Sequence, residues 1–121
     1  MNLFQNPFYI IGVSTRDTKQ KIVEACDAKS LTVDSELNTK IRSTLTQPRN
    51  RLSAELAWLP GIAPRRAVGL VDKLRMDPAT FLADLGDVPP LARCNALTTY
   101  INQKIKNEDQ LVEILIDIIH S

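Results

Sequence analysis

The stretch Leu45-Thr46-Gln47-Pro48-Arg49-Asn50-Arg51-Leu52, running on to Trp58-Leu59-Pro60-Gly61, leaves this chain few folds to choose from. Pro48 has no backbone N–H to give to a preceding turn, so it opens a helix rather than continuing one, and Pro60-Gly61 closes what Pro48 opens. A chain that stops and restarts a helix at one corner must fold back across itself. The same punctuation recurs along the sequence at Asn6-Pro7, Gly12, Pro64, Asp77-Pro78, Gly86 and Pro89-Pro90. Between these marks apolar residues return every three or four positions. No alternation long enough for a strand competes, and there is no internal repeat. The reading is an all-α protein, with an N-terminal helical unit over about residues 1–61 packed with a C-terminal helical unit over 62–121.

In chain order, Asn6 caps a short helix that Pro7 begins and Gly12 ends. Ser14 and Asp17 form a weak capping box ahead of a helix between about Thr15 and Ser30. Its inward face is Ile22, Ala25 and Cys26. Thr32-Val33-Asp34 caps a third helix with the stripe Leu37, Ile41 and Leu45. The Pro48 helix carries Leu52, Leu56 and Leu59 inward, with Trp58 beside them as a core or junction residue. Val68, Val71 and Leu74 serve the helix after Pro64, and Phe81, Leu82 and Leu85 the one capped by Asp77. Leu91, Cys94, Leu97, Ile101 and Ile105 form a stripe on the helix after Pro90. Asn107 then caps a separate last helix over 107–121, acidic at Glu108, Asp109, Glu113 and Asp117 and apolar nearly all round.

Composition removes several function classes. The 121 residues are 44% hydrophobic and 24% charged, which suits a globular chain. A net charge of +1 argues against nucleic-acid binding by the chain as a whole. Cys26 and Cys94 lack CxxC spacing, so they read as buried free thiols rather than zinc or redox ligands. No secretory leader or membrane span is visible, and the cytoplasm is the default compartment. His120, the only histidine, sits next to the end of the sequence. With no Gly-rich phosphate loop and no nucleophile–base constellation, we expect no enzyme, no catalytic or metal residues and no cofactor.

The first half of the chain resembles a J-domain, the Hsp70-stimulating module of DnaJ-like cochaperones. Pro7-Phe8-Tyr9-Ile10-Ile11-Gly12-Val13 is similar to the family's opening helix with its "LGV" ending. Leu45-Thr46-Gln47-Pro48-Arg49-Asn50-Arg51 is similar to its "LsDPxKR" passage from third to fourth helix. Ile22 and Ala25 stand at the spacing of the family's second-helix core. The resemblance covers about residues 1–61 and is degenerate. The family's His-Pro-Asp tripeptide is absent, and a gap-free count from Gly12-Val13 lands on Asp34-Ser35-Glu36. Ala54-Glu55 stands where the family has tyrosine-aspartate. The resemblance thus implies a scaffold, and an Hsp70-like partner only through contacts other than that tripeptide.

Two surfaces could bind something. Lys19 and Lys21 lie on the second helix, where a J-domain has its basic docking face, though Asp17, Glu24 and Asp27 offset them. Arg49, Arg51, Arg65, Arg66, Lys73 and Arg75 stand against Glu55 and Asp72, a net +4 over residues 49–75. These six either face an anionic partner, a nucleic acid included, or pair locally and meet water. The last helix either packs within its own domain or meets a second protomer or further chain. Our expectation is a non-catalytic protein–protein interaction or adaptor module within a longer chaperone-like or regulatory protein. A divergent Hsp70 cochaperone is the alternative, and nucleic-acid binding through Arg49–Arg75 ranks third.

Overall fold

The computed structural model describes residues 2–120. A short 3-10 turn at Leu3–Gln5 leads into α1 (Pro7–Ile11), followed by α2 (Lys19–Ala28), α3 (Ser35–Thr46), α4 (Pro48–Leu56), α5 (Pro64–Met76), α6 (Pro78–Ala83) and α7 (Pro90–His120). Among the described residues there is no strand, so the fold is all-α.

The helix boundaries follow the punctuation. Asn6 is fully buried, and its side-chain oxygen accepts the Phe8 N–H at 3.0 Å while its amide donates to the Ala54 carbonyl at 3.0 Å. One residue therefore caps α1 and ties it to α4. Gly12 ends α1 in the left-handed region at φ 78°, where a side chain would be strained. Asp34 caps α3 and Asp77 caps α6, both through side-chain oxygens accepting N–H groups three residues on. At α2 the cap is Thr18, which accepts from Lys21 N–H. Ser14 and Asp17 instead close a tight turn before it, with the Asp17 carboxylate accepting the Ser14 N–H at 2.9 Å. The capping residue stands one place beyond the expected box because Thr18 is the last residue with extended backbone.

One cluster of buried side chains runs from Leu3 to Ala96 and draws on both halves of the chain. The α2–α3 hairpin contributes Ile22, Cys26, Ile41 and Leu45, and the α5–α6 hairpin contributes Val71, Leu74 and Phe81. Trp58 is buried between the halves, against the Tyr9 ring at 6.0 Å. Tyr9 O–H donates to Asp72 at 3.0 Å, and Arg75 lies over both the Phe4 and Tyr9 rings. Burial first, and this donation second, raise the Tyr9 pKa above its ordinary value.

Several expected core positions are displaced, for physical reasons. Leu52 and Leu56 are half exposed, whereas Ala54, Trp58 and Leu59 are buried. α4 ends at Leu56, three residues before Leu59, so the stripe's helical period does not extend that far. The small Ala54 then lets the helix backbone approach the Asn6 amide. In α5 the inward set is Ala67, Leu70, Val71 and Leu74, with Val68 turned out. Leu37 in the first turn of α3 and Leu82 in α6 are likewise exposed.

The largest departure is at the end of the chain. No separate helix begins at Asn107, because residues 91–120 contain neither proline nor glycine and nothing interrupts the hydrogen-bond ladder. α7 is one helix of 31 residues, about 46 Å long at the usual rise.

Candidate interaction surface

α7 meets the body through its small residues. Ala92, Ala96 and Thr99 are buried, at an i, i+4, i+7 spacing that makes one narrow face. Short side chains let the helix axis come close, and polar groups then fix it. Thr99 Oγ1 accepts the Leu3 N–H at 3.1 Å. The Asn95 amide donates to the carbonyls of Leu56 and Trp58, at 2.8 and 2.7 Å, satisfying acceptors where α4 ends. Tyr100 stacks on Phe81 with ring centroids 6.3 Å apart. A notch of about 200 Å³ lined by Pro78, Tyr100, Gln103, Lys104 and Asn107 marks the place where α7 leaves the body.

The expected stripe of larger residues is therefore on the outside. Leu91, Cys94, Ile101 and Ile105 are exposed, and only Leu97 is partly covered. Cys94 is accordingly an exposed thiol rather than a buried one. Cys26 is buried as expected, and that burial pushes its thiol pKa up. Every residue from Lys104 to His120 is exposed, including Leu111 at 57%, Leu115 at 50% and Ile119 at 77%. An α-helix with no neighbour leaves its leucines about half exposed, because its own turns cover the rest. The last turns of α7 thus project from the body with their apolar side chains in water, and of the two alternatives for this segment, packing within its own domain does not hold.

At about 100° per residue, the buried Ala92–Ala96–Thr99 face and the mean direction of the apolar residues beyond Lys104 lie roughly 150° apart around the axis. The latter continue the outward line of Cys94, Leu97 and Ile101. On the polar back of the helix stand Lys106, Gln110, Glu113 and Asp117. One amphipathic surface therefore runs along α7 from Leu91 to Ile119, facing away from the body. Its apolar arc is broken on the midline by a single pair of charges, Lys104 and Glu108, which make no ion pair in the structure.

The basic residues are placed differently. Arg51 is committed inside the fold: its guanidinium pairs with Glu55 at 3.1 Å and donates to the carbonyls of Thr15 and Asp17 at 3.0 and 2.7 Å. It holds the α1–α2 loop against α4. Arg66 pairs with Asp87, holding that carboxyl below the usual carboxylate range, and Lys73 pairs with Asp84. Arg65 borders the same α1–α2 loop from the α5 side, in a shallow hollow with Thr15 and Trp58. Lys19, Lys21, Arg49 and Arg65 are exposed and make no ion pair. Local pairing thus takes Arg51, Arg66 and Lys73 out of the six-residue cluster, and Arg75 is given to the aromatic rings.

A second concavity, about 920 Å³, lies between α1, α3 and α4 and is lined by Ile10, Leu37, Ile41 and Ala54 with Lys40 and Asn50 at its edge. Among the described residues no cluster of acidic, histidine or cysteine side chains has metal-binding geometry, and no helix is long and apolar enough to cross a membrane. Comparison with protein-family models, curated proteins and solved structures finds no match.

Proposed function

We propose that the chain is a protein–protein interaction module that docks through the outward face of α7. The observation that carries this reading is the exposure of large apolar residues on that face. Leu91, Ile101, Ile105, Leu111 and Leu115 are each about half exposed or more, on the broad side of α7 away from Ala92, Ala96 and Thr99. Apolar patches of this extent on a folded body mark interaction sites more often than they occur by chance on monomers. The body's role in this reading is to carry the helix, held at its root by Thr99, Asn95 and the Phe81–Tyr100 stack. The resemblance of residues 1–61 to a degenerate J-domain fits such a module, since what it implies is a scaffold without the family's tripeptide. At the tripeptide's place, Asp34 caps α3 through the Leu37 N–H.

The test compares the tagged chain with a Leu111→Asp, Leu115→Asp variant, recovered from cells and quantified by mass spectrometry. The reading expects a stoichiometric associated protein, a second copy of this chain included, that the variant loses while its circular dichroism is unchanged. Equal recovery by both, or no associated protein with either, overturns it.

One observation favours a second reading, a divergent Hsp70 cochaperone. A short α1, the α2–α3 hairpin and an α4 entered through Pro48 follow the J-domain order, and Lys19 and Lys21 on α2 are exposed and unpaired. Stimulation of an Hsp70 ATPase that is lost on Lys19→Glu, Lys21→Glu would establish it, and no stimulation would remove it.

A further inference from the structure

We propose that the partner seated on α7 is the α7 of a second copy, packed antiparallel about a two-fold axis at residue 106. This rests on the reading of α7 as a docking surface and names its occupant.

The midline of the outward face is Leu97, Ile101, Lys104, Glu108, Leu111 and Leu115. Their spacings are four, three, four, three and four, the same read in either direction, which an antiparallel pair of identical helices requires. Centred on residue 106, Leu97 faces the second copy's Leu115, Ile101 faces its Leu111, and Lys104 faces its Glu108. Each contact occurs twice, as two-fold symmetry demands. The chemistry has the same symmetry as the spacing: two apolar layers, two opposite-charge contacts, two apolar layers.

Three further observations select this arrangement. Lys104 and Glu108 interrupt an otherwise apolar arc, and within one helix they stand in the weaker order, lysine before glutamate, and form no ion pair. A parallel pair would set lysine against lysine and glutamate against glutamate, so the charges discriminate orientation as well as register. Nine large apolar residues from Ile101 to Ile119 are each about half exposed or more, which leaves apolar surface for a second helix to cover. In the first half of the face Ile101 is exposed on the side away from Ala92, Ala96 and Thr99, while Leu97 is partly covered by its own body and keeps only its outer edge for a second helix.

Light scattering on the 13.5 kDa chain at micromolar concentration should give twice its mass. Lys104→Glu alone and Glu108→Lys alone should each weaken association ~10-fold or more, since each creates two like-charge contacts. An equimolar mixture of the two variants should restore it, which also shows that both are folded. For orientation, spin labels at Asp117→Cys in a Cys94→Ser background lie on the polar back of the helix, with Cys26 buried. An antiparallel pair centred on 106 sets them about 33 Å apart along the axis, and a parallel pair sets them side by side. A monomer at 100 µM, single variants that associate as the parent does, a mixture that fails to recover, or side-by-side labels would each overturn the proposal. If it fails while Leu111→Asp, Leu115→Asp still releases a different protein, the docking reading stands and only its occupant changes.

Discussion

The two ends of α7 are made of similar residues and used in opposite ways. Toward the N-terminus the helix turns alanine and threonine to the body and sends leucine and cysteine outward. Toward the C-terminus it has no body to face, and its leucines and isoleucines stand in water. The difference shows that size, more than hydrophobicity, decides which residues meet a helix's own domain. A small-residue face lets two backbones approach and lets Thr99 and Asn95 reach carbonyl and amide partners, which longer neighbours would hold apart. Large apolar residues left over from that packing then become a surface, which widens beyond Lys104 to a broad arc of the helix.

The contrast would be broken most forcefully at the root of the helix. Phe81 is completely buried and stacks on Tyr100, the last residue of α7 to join the core's edge. Phe81→Ala should cost about 3–5 kcal/mol in a urea melt, the range for deleting a buried aromatic ring. If the loss were below about 1 kcal/mol, the root of α7 would not be fixed by packing, and the division of the helix into two differently used halves would fail.

How much of this was legible in the sequence varies by feature. Prolines marked the starts of α1, α4, α5, α6 and α7, because Pro7, Pro48, Pro64, Pro78 and Pro90 each open a helix for the same steric reason, whereas α2 and the start of α3 have neither proline nor glycine beside them. Asn6, Asp34 and Asp77 could be read as caps, since short polar side chains before a helical run have few other uses. Which face of a helix turns inward was harder to read. Periodicity gives the spacing of a stripe, while its direction depends on neighbours far along the chain. Leu52 and Leu56 had the right period and faced outward, because the carbonyl that Asn6 needs is that of Ala54. The α7 surface was half legible: the Leu91–Ile105 stripe was visible as a unit, and its exposure was not. The signal that would have located the buried face was the Ala92, Ala96, Thr99 spacing, easily passed over because small residues carry little hydrophobic weight.

A smaller effect is expected from enlarging that small-residue face. Ala96 is fully buried, and Ala96→Leu should destabilise the chain by about 1–3 kcal/mol through overpacking. Hydrogen exchange should show the change as lost protection at the Leu3 N–H, whose acceptor is Thr99 one turn further along the same face. A neutral result would mean that α7 is held at a distance and that close approach is not what selects the small residues.

The smallest effect on the folded monomer belongs to the residue that matters most to the other half. Leu111 is 57% exposed and touches no part of the core cluster. In dilute solution, where each chain is alone, Leu111→Ala should change the unfolding free energy by no more than about 0.5 kcal/mol in either direction, since alanine favours helix slightly and no burial is lost. At high concentration the same substitution removes apolar contacts from both sides of a two-fold pair, so its cost should grow as the protein is concentrated. A melt repeated across a hundredfold range of concentration separates the cases. A cost present at every concentration would mean that Leu111 packs within its own chain, and the two halves of α7 would then differ only in which part of one body they cover.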